Sequence, residues 1–402
     1  MSHSADLLTP AGEDLLDRLS GVTVTPDEAL RLAADLRERY PPELVAAALT
    51  QQTLRMAARE KFSRADEMFF TRAGLEQASA EIVAAHSARR FHGLPLVADL
   101  CCGIGGDLMA LASSAGQVLA VDADLDTLRF ARRNVAALAA SAVAFACADV
   151  RELPPSTLRS LSAAFIDPAR RSSGRRLRGG DTLPSLAWCL GLVSEVPRLA
   201  IKAAPGLAHD LIPDGWEVEF VAVGRLLKEA LLWSPGFAST QRRATILPAG
   251  DTLVASPAAA PVRVTDPGGY LFDPSPAVTR AGLVQELARD LGAWQIDPMI
   301  AFLSADVAVR TPFARTLRIV ESTPWHEKQA ARRLRALGIG SADIRRRGLA
   351  GDVDQIRRRL KLSGPHRATV VLTRVNDKPW GLICTDIRTD LGQPLNASSY
   401  HF

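Results

Sequence analysis

Cysteine is scarce: five in 402 residues, an odd number, with only Cys101 and Cys102 close together. That excludes a disulfide framework and offers no zinc spacing. Seven scattered histidines form no metal motif, so no metal is expected. No uninterrupted apolar stretch approaches the roughly 18 residues of a membrane span. Residues 1–13 are acidic and polar, unlike a secretory signal, so a cytoplasmic protein with no membrane partner is expected. A dinucleotide fingerprint is also missing. Counting from Gly103, the sixth position is Leu108, where a pyrophosphate-binding turn needs its third glycine.

What is present centres on residues 97–107, Val-Ala-Asp-Leu-Cys-Cys-Gly-Ile-Gly-Gly-Asp. An apolar run ends in Asp99, a tight turn follows (Gly103, Gly105, Gly106), and a helical stretch begins near Leu108. Strand, glycine turn and helix start make a nucleotide-sized cradle, because glycine lets backbone approach a ligand and a helix N-terminus presents free N–H groups. Three more runs repeat the device. Residues 117–122 read as a buried strand ending in Asp122, followed by a helix over 126–138. An acid about 20 residues after the turn is placed to accept from ribose hydroxyls. Residues 142–147 lead into Asp149 and Val150, and residues 163–166 end in Asp167-Pro168-Ala169-Arg170-Arg171. Expected further strands are a fifth within 198–206, another over 216–223, and a final antiparallel pair from 229–233 and 243–247.

Asp99 with its Cys-Gly-x-Gly-Gly-Asp turn resembles class I S-adenosylmethionine (SAM)-dependent methyltransferases, and the core is similar to the trimethylguanosine synthase-like branch. The resemblance implies a Rossmann-like α/β core with SAM as cofactor. It implies that Asp99 contacts the cationic methionine end and that Cys101, Gly103, Gly105, Gly106 and Asp107 form the cofactor turn. Asp122 with Ala123 would take the ribose, and Asp149 with Val150 the adenine. The family's amino-group enzymes carry Asp/Asn-Pro-Pro-aromatic after the fourth strand. Here Asp167 and Pro168 are kept, while Ala169 and Arg170 replace the second proline and the aromatic. Asp167 can still orient an amine or accept a proton, and Arg170 can stack on a base or hold a phosphate; Asp167, Pro168 and Arg170 are the candidate catalytic residues. No cysteine adjoins Pro168, which argues against a covalent pyrimidine adduct. Lys202 and Glu229 lie near expected strand ends and are the other ionisable groups placed to reach the pocket, with a surface pair or an ordinary strand flank as the simpler expectation.

Residues 322–387 are similar to the THUMP-like domain of bacterial SAM-dependent methyltransferases: a Pro-Trp before a basic helix, Ile-Arg-Arg-Arg-Gly, Lys-Leu-x-Gly-Pro, and Ala-Thr-Val-Val-Leu-Thr-Arg. THUMP domains bind RNA. Net charge is only +4, but arginine is concentrated at 345–347, at 357–359 and at 170–178. Such clusters suit a polyanion, although solvated helix faces are an equal alternative for the last domain. The expected organisation is an N-terminal helical region (1–90), a methyltransferase core (91–247), a linker and connecting α/β region (248–321) and an α/β THUMP-like domain (322–402). In the first region Asp27 is an expected cap for a helix over 28–39, a second helix covers 43–59, and Phe69-Phe70 either lid the cofactor or pack helices onto the sheet. A single helix is expected over 281–291. The functional expectation is a SAM-dependent methyltransferase acting on tRNA or rRNA. The alternatives are a small-molecule or protein acceptor, or a non-catalytic SAM-fold RNA-binding protein.

Overall fold

A computed structural model describes residues 3–136, 142–169, 171–172, 175–176, 182–257 and 260–387. The chain forms two compact units, one of Met1–Glu219 with Lys228–Ser239, the other of Phe220–Leu227 with Thr240–Phe402.

The first unit is built on parallel strands β1 (Leu96–Leu100), β2 (Gln117–Asp122), β3 (Ala142–Cys147) and β4 (Ala163–Ile166). β1 lies between β2 and β4, and the Leu199–Ala203 strand continues the parallel set beyond β4. β4 is apolar along its length and β1 is apolar apart from Asp99; from Val97 on, both strands are buried, as parallel strands flanked by helices must be. Strand Leu226–Trp233 runs antiparallel to Leu199–Ala203. It lies between that strand and Glu217–Val223, so the expected pairing of 229–233 with 243–247 does not form; Arg242–Leu247 instead pairs with Asp251–Val254.

The helices before the sheet share its core. Helix Pro26–Leu36 is capped by Thr25 through a reciprocal capping box with Glu28, two residues before the expected Asp27 cap. Helix Pro42–Ala58 buries Leu44, Val45, Ala48 and Leu49 with Leu15, Leu16, Phe69 and Phe130. Phe69 stacks on Phe130 with centroids 5.6 Å apart, and Phe70 meets Phe62 at 5.8 Å. Both side chains are buried; Phe69 packs the N-terminal helices onto helix Leu125–Ala136, and Phe70 packs within the N-terminal region. Burial of each ring stabilises this packing by roughly 1.5–3 kcal/mol.

In the second unit, Tyr270–Pro274, Ala314–Pro324, Lys378–Asp386 and His366–Val375 form antiparallel neighbours, and Ile339–Arg346 adds parallel to His366–Val375. Helices Glu327–Ala336 and Val353–Leu360 lay Ala331, Leu334, Ile356 and Leu360 against Val370, Leu372 and Ile383. The helix expected over 281–291 begins later, at Val284–Leu291, and a separate short helix, Pro276–Ala281, precedes it, ended where Gly282 takes φ 66°. A left-handed glycine ends one helix before the next begins.

Candidate active site

Sheet register decides which polar side chains meet. Leu100 of β1 pairs with Val121 and Ile166, and Ile166 pairs with Ile201. One residue further on, Asp167 and Lys202 therefore lie side by side at the carboxyl ends of neighbouring strands, the edge where open α/β sheets bind ligands. Lys202 Nζ donates to Asp167 Oδ2 at 2.6 Å.

The turn after β1 needs unusual backbone. Cys101, Gly103 and Gly105 have φ of 63°, 55° and 90°, so the chain curls before helix Gly106–Ser114 begins. At Gly105 a side chain would meet Ala131 backbone at 3.4 Å as well as adopt a strained φ. Asp122 ties the curl down: its Oδ2 accepts from the Gly103 N–H at 2.9 Å and its Oδ1 from Asp124 N–H at 2.9 Å. Burial lifts the Asp122 carboxyl above its ordinary range, against the pull of those N–H groups. Burial also pushes the Cys101 and Cys102 thiols far up, so neither is a ready thiolate.

Asp99 is the outstanding group. It is 1% exposed, and neither carboxylate oxygen has a hydrogen-bond partner among the described residues. Burial, then the neighbouring Asp107 and Asp167, holds its pKa well above the carboxylate range. An unpaired buried carboxyl is costly unless something else supplies its partner. Asp107, in the first helical turn, is likewise buried; its Oδ2 meets Ser79 Oγ at 3.1 Å and Lys202 Nζ at 3.3 Å, while Oδ1 lacks a partner among the described residues. Glu229 closes the cluster, with Ser79 and Ser87 hydroxyls at 3.4 and 3.5 Å, and burial pushes its pKa up to about 8. Lys202 and Glu229, for which a place in the pocket is the less simple of the two expectations, are 6% and 3% exposed and belong to the cluster. Ser79 has no counterpart among the expected residues; a lone serine between two short helices carries no sequence signal.

Other expected residues stand apart from this cluster. Asp149 accepts from the Arg151 backbone N–H at 2.9 Å and grips the Arg151 guanidinium at 2.6–3.1 Å, which lowers its pKa to about 2. Val150 is buried beside it, and Ala123 is exposed after β2. Pro168 follows Asp167, and Ala169 bridges to Leu183 in an antiparallel backbone pair. Arg170 lies outside the described residues, as does Arg178, and of Arg171, Arg175 and Arg176 only a two-residue backbone ladder is described. Among the described residues no group of three or more His, Cys, Asp or Glu could hold a metal ion, and no helix is long and apolar enough to cross a membrane.

Residues 97–166 match the methyltransferase domain family, and residues 314–386 match the THUMP domain-like family. Residues 2–58 match a domain family of unknown function. An uncharacterized S-adenosylmethionine-dependent methyltransferase of Mycobacterium tuberculosis, found in two strains, is 37% identical over 316 residues, covering 77% of this chain and 85% of its own. The crystal structure of a presumed methyltransferase from Porphyromonas gingivalis W83 superposes with a TM-score of 0.73 at 21% identity, covering 90% of this chain and 99% of its own; that likeness is one of fold. The residues present fit SAM, whose methionine end carries an ammonium able to pair with the Asp99 carboxylate beside the glycine turn. The chain belongs to the S-adenosylmethionine-dependent methyltransferases and carries a THUMP-like domain.

Proposed function

We propose that this enzyme methylates RNA, tRNA or rRNA, in the cytoplasm, with the 91–247 region as catalytic core and the THUMP-like region as RNA-binding arm. One observation carries the acceptor class. Helix Val353–Leu360 buries Ile356 and Leu360 within a THUMP-like fold and leaves Arg357, Arg358 and Arg359 exposed together. Exposed Arg345 and Arg346 add to the same basic character. Exposed guanidiniums suit phosphate, which each can grip with two N–H groups.

When bound, SAM supplies a methyl on a sulfonium sulfur that departs as a neutral thioether. Positioning the acceptor in line is then much of the catalysis. Asp99 would receive the methionine ammonium, with Gly103, Gly105, Gly106 and Asp107 forming the turn at that end. Asp122 holds the turn and would accept from the ribose; Asp149 and Val150 would take the adenine. Asp167 accepts a hydrogen bond from the N–H or O–H of the acceptor and takes its proton as the methyl arrives. Arg170 in place of an aromatic would hold the base or its phosphate. The Cys-Gly-x-Gly-Gly turn supports assigning the core to the trimethylguanosine synthase-like branch.

The test is where methyl goes. Purified enzyme and labelled SAM are incubated with an extract of a strain lacking this protein, and the extract is then divided into RNA, protein and small molecules. The reading requires label in a discrete, ribonuclease-sensitive species. Label confined to protein or to small molecules would overturn it.

A further inference from the structure

Lys202 has no part in the transfer described so far, yet it sits at the centre of the buried cluster. Its ammonium donates to Ser79 Oγ at 2.7 Å, Asp107 Oδ2 at 3.3 Å and Asp167 Oδ2 at 2.6 Å. Those partners come from three places: the link before helix Glu81–Ala88, the first turn after the glycine loop, and the end of β4. An ammonium has three N–H donors, and each here has an acceptor.

We infer that Lys202 is a positioning residue for methyl transfer, fixing the Asp167 carboxylate in one orientation and holding it ionised for the acceptor. This rests on the reading of Asp167 as the acceptor's partner. Facing Lys202 are Asp107 and Asp167, with Asp99 on β1 and Glu229 on the adjoining strand close enough to act electrostatically. The nearby cation is Lys61, whose ammonium is taken up by the carbonyls of Leu75, Glu76 and Ala78 at 2.7–3.3 Å. Burial opposes charge on Lys202, but Asp107, Asp167 and Glu229 together keep it protonated far above neutral pH. An ammonium at hydrogen-bond distance favours the carboxylate form of its partner by about one to three pH units. Removing it makes Asp167 easier to protonate, and a protonated acid cannot take the acceptor's proton.

The experiment uses the full chain labelled with 13C-carboxyl aspartate, with the Asp167 signal assigned through Asp167→Asn. In Lys202→Met the Asp167 titration midpoint should rise by about one unit or more, and Lys202→Arg should return it towards the wild-type value. Lys202→Gln, which keeps a donor without charge, serves if the methionine variant does not fold. Methyl transfer to the RNA fraction should fall about tenfold or more at neutral pH and recover as pH is raised along the same titration. A purely structural lysine would lower the rate equally at every pH. An unchanged Asp167 midpoint in both uncharged variants overturns the inference. If wild type labels no RNA, the acceptor reading fails, while the carboxyl titration still decides the role of Lys202.

Discussion

A buried carboxyl with no partner is tolerated where a ligand supplies one, and in the proposed reading Asp99 is that group: 1% exposed, both oxygens without a partner among the described residues. A charge-assisted hydrogen bond in such a place is worth about 1.5–3 kcal/mol. Calorimetry should therefore find SAM bound roughly 10- to 100-fold more weakly by Asp99→Asn, a fold-change that follows from the same energy. Glu229 makes a second test. Its pKa is raised to about 8 by burial, so the folded state keeps a proton that the unfolded chain gives up near pH 4.5. Stability from this group is complete at low pH and is lost as pH climbs towards 8. Glu229→Gln should gain stability relative to wild type across that window in chemical denaturation, and level off above it. A constant difference would remove Glu229 as the source. At this scale the positions of Asp99, Asp122 and Asp167 were legible, because each follows an apolar run near a strand terminus. Lys202 and Glu229 could be picked out as near strand ends but not as buried: a charge there reads as solvent-facing until the register of the next strand covers it.

Helix Leu125–Ala136 shows how one side chain joins elements. Asn134 is fully buried; its Oδ1 accepts from the Phe69 N–H at 2.7 Å, and its Nδ2 donates to Phe69 O at 3.0 Å and Ile104 O at 2.8 Å. It thereby fastens the N-terminal helices and the glycine turn to the same helix. Asn134→Ala leaves three backbone groups without these bonds and should lower unfolding free energy by about 2–4 kcal/mol, read from the denaturant midpoint. A loss below about 0.5 kcal/mol would show that the groups find other partners. Elements set by periodicity and a terminal acid, such as β1, β2 and β4, could be read from the chain. The break at Gly282 and the course of Leu226–Trp233 could not. An amphipathic pattern runs through a left-handed glycine unchanged, and strand order depends on pairings distant in sequence.

Over the whole molecule, the arginines sort into two kinds. Arg347 is half-buried; it reaches Asp273 Oδ1 at 2.9 Å and lies over the Phe302 ring at 4.9 Å. Arg357 and Arg358 are exposed, and each bonds to Asp354 on its own helix. A run of basic residues at 345–347 is plain in the sequence, but nothing in it separates a packed arginine from one at the surface. Replacing Arg357 and Arg358 by Gln should weaken RNA binding, reduce the salt dependence by about 0.7 for each phosphate no longer neutralised, and leave SAM affinity alone. Arg347→Gln should instead lower thermal stability. An unchanged salt slope in the double variant would remove this helix from the RNA surface.

The central claim is that Asp99 serves the methyl donor and Asp167 the acceptor, at the ends of neighbouring strands. The direct measurement is transfer of labelled methyl to RNA by Asp167→Ala enzyme saturated with SAM, with affinity checked by calorimetry. The account predicts SAM bound as in wild type and transfer reduced at least about 100-fold. Transfer at the wild-type rate would contradict it.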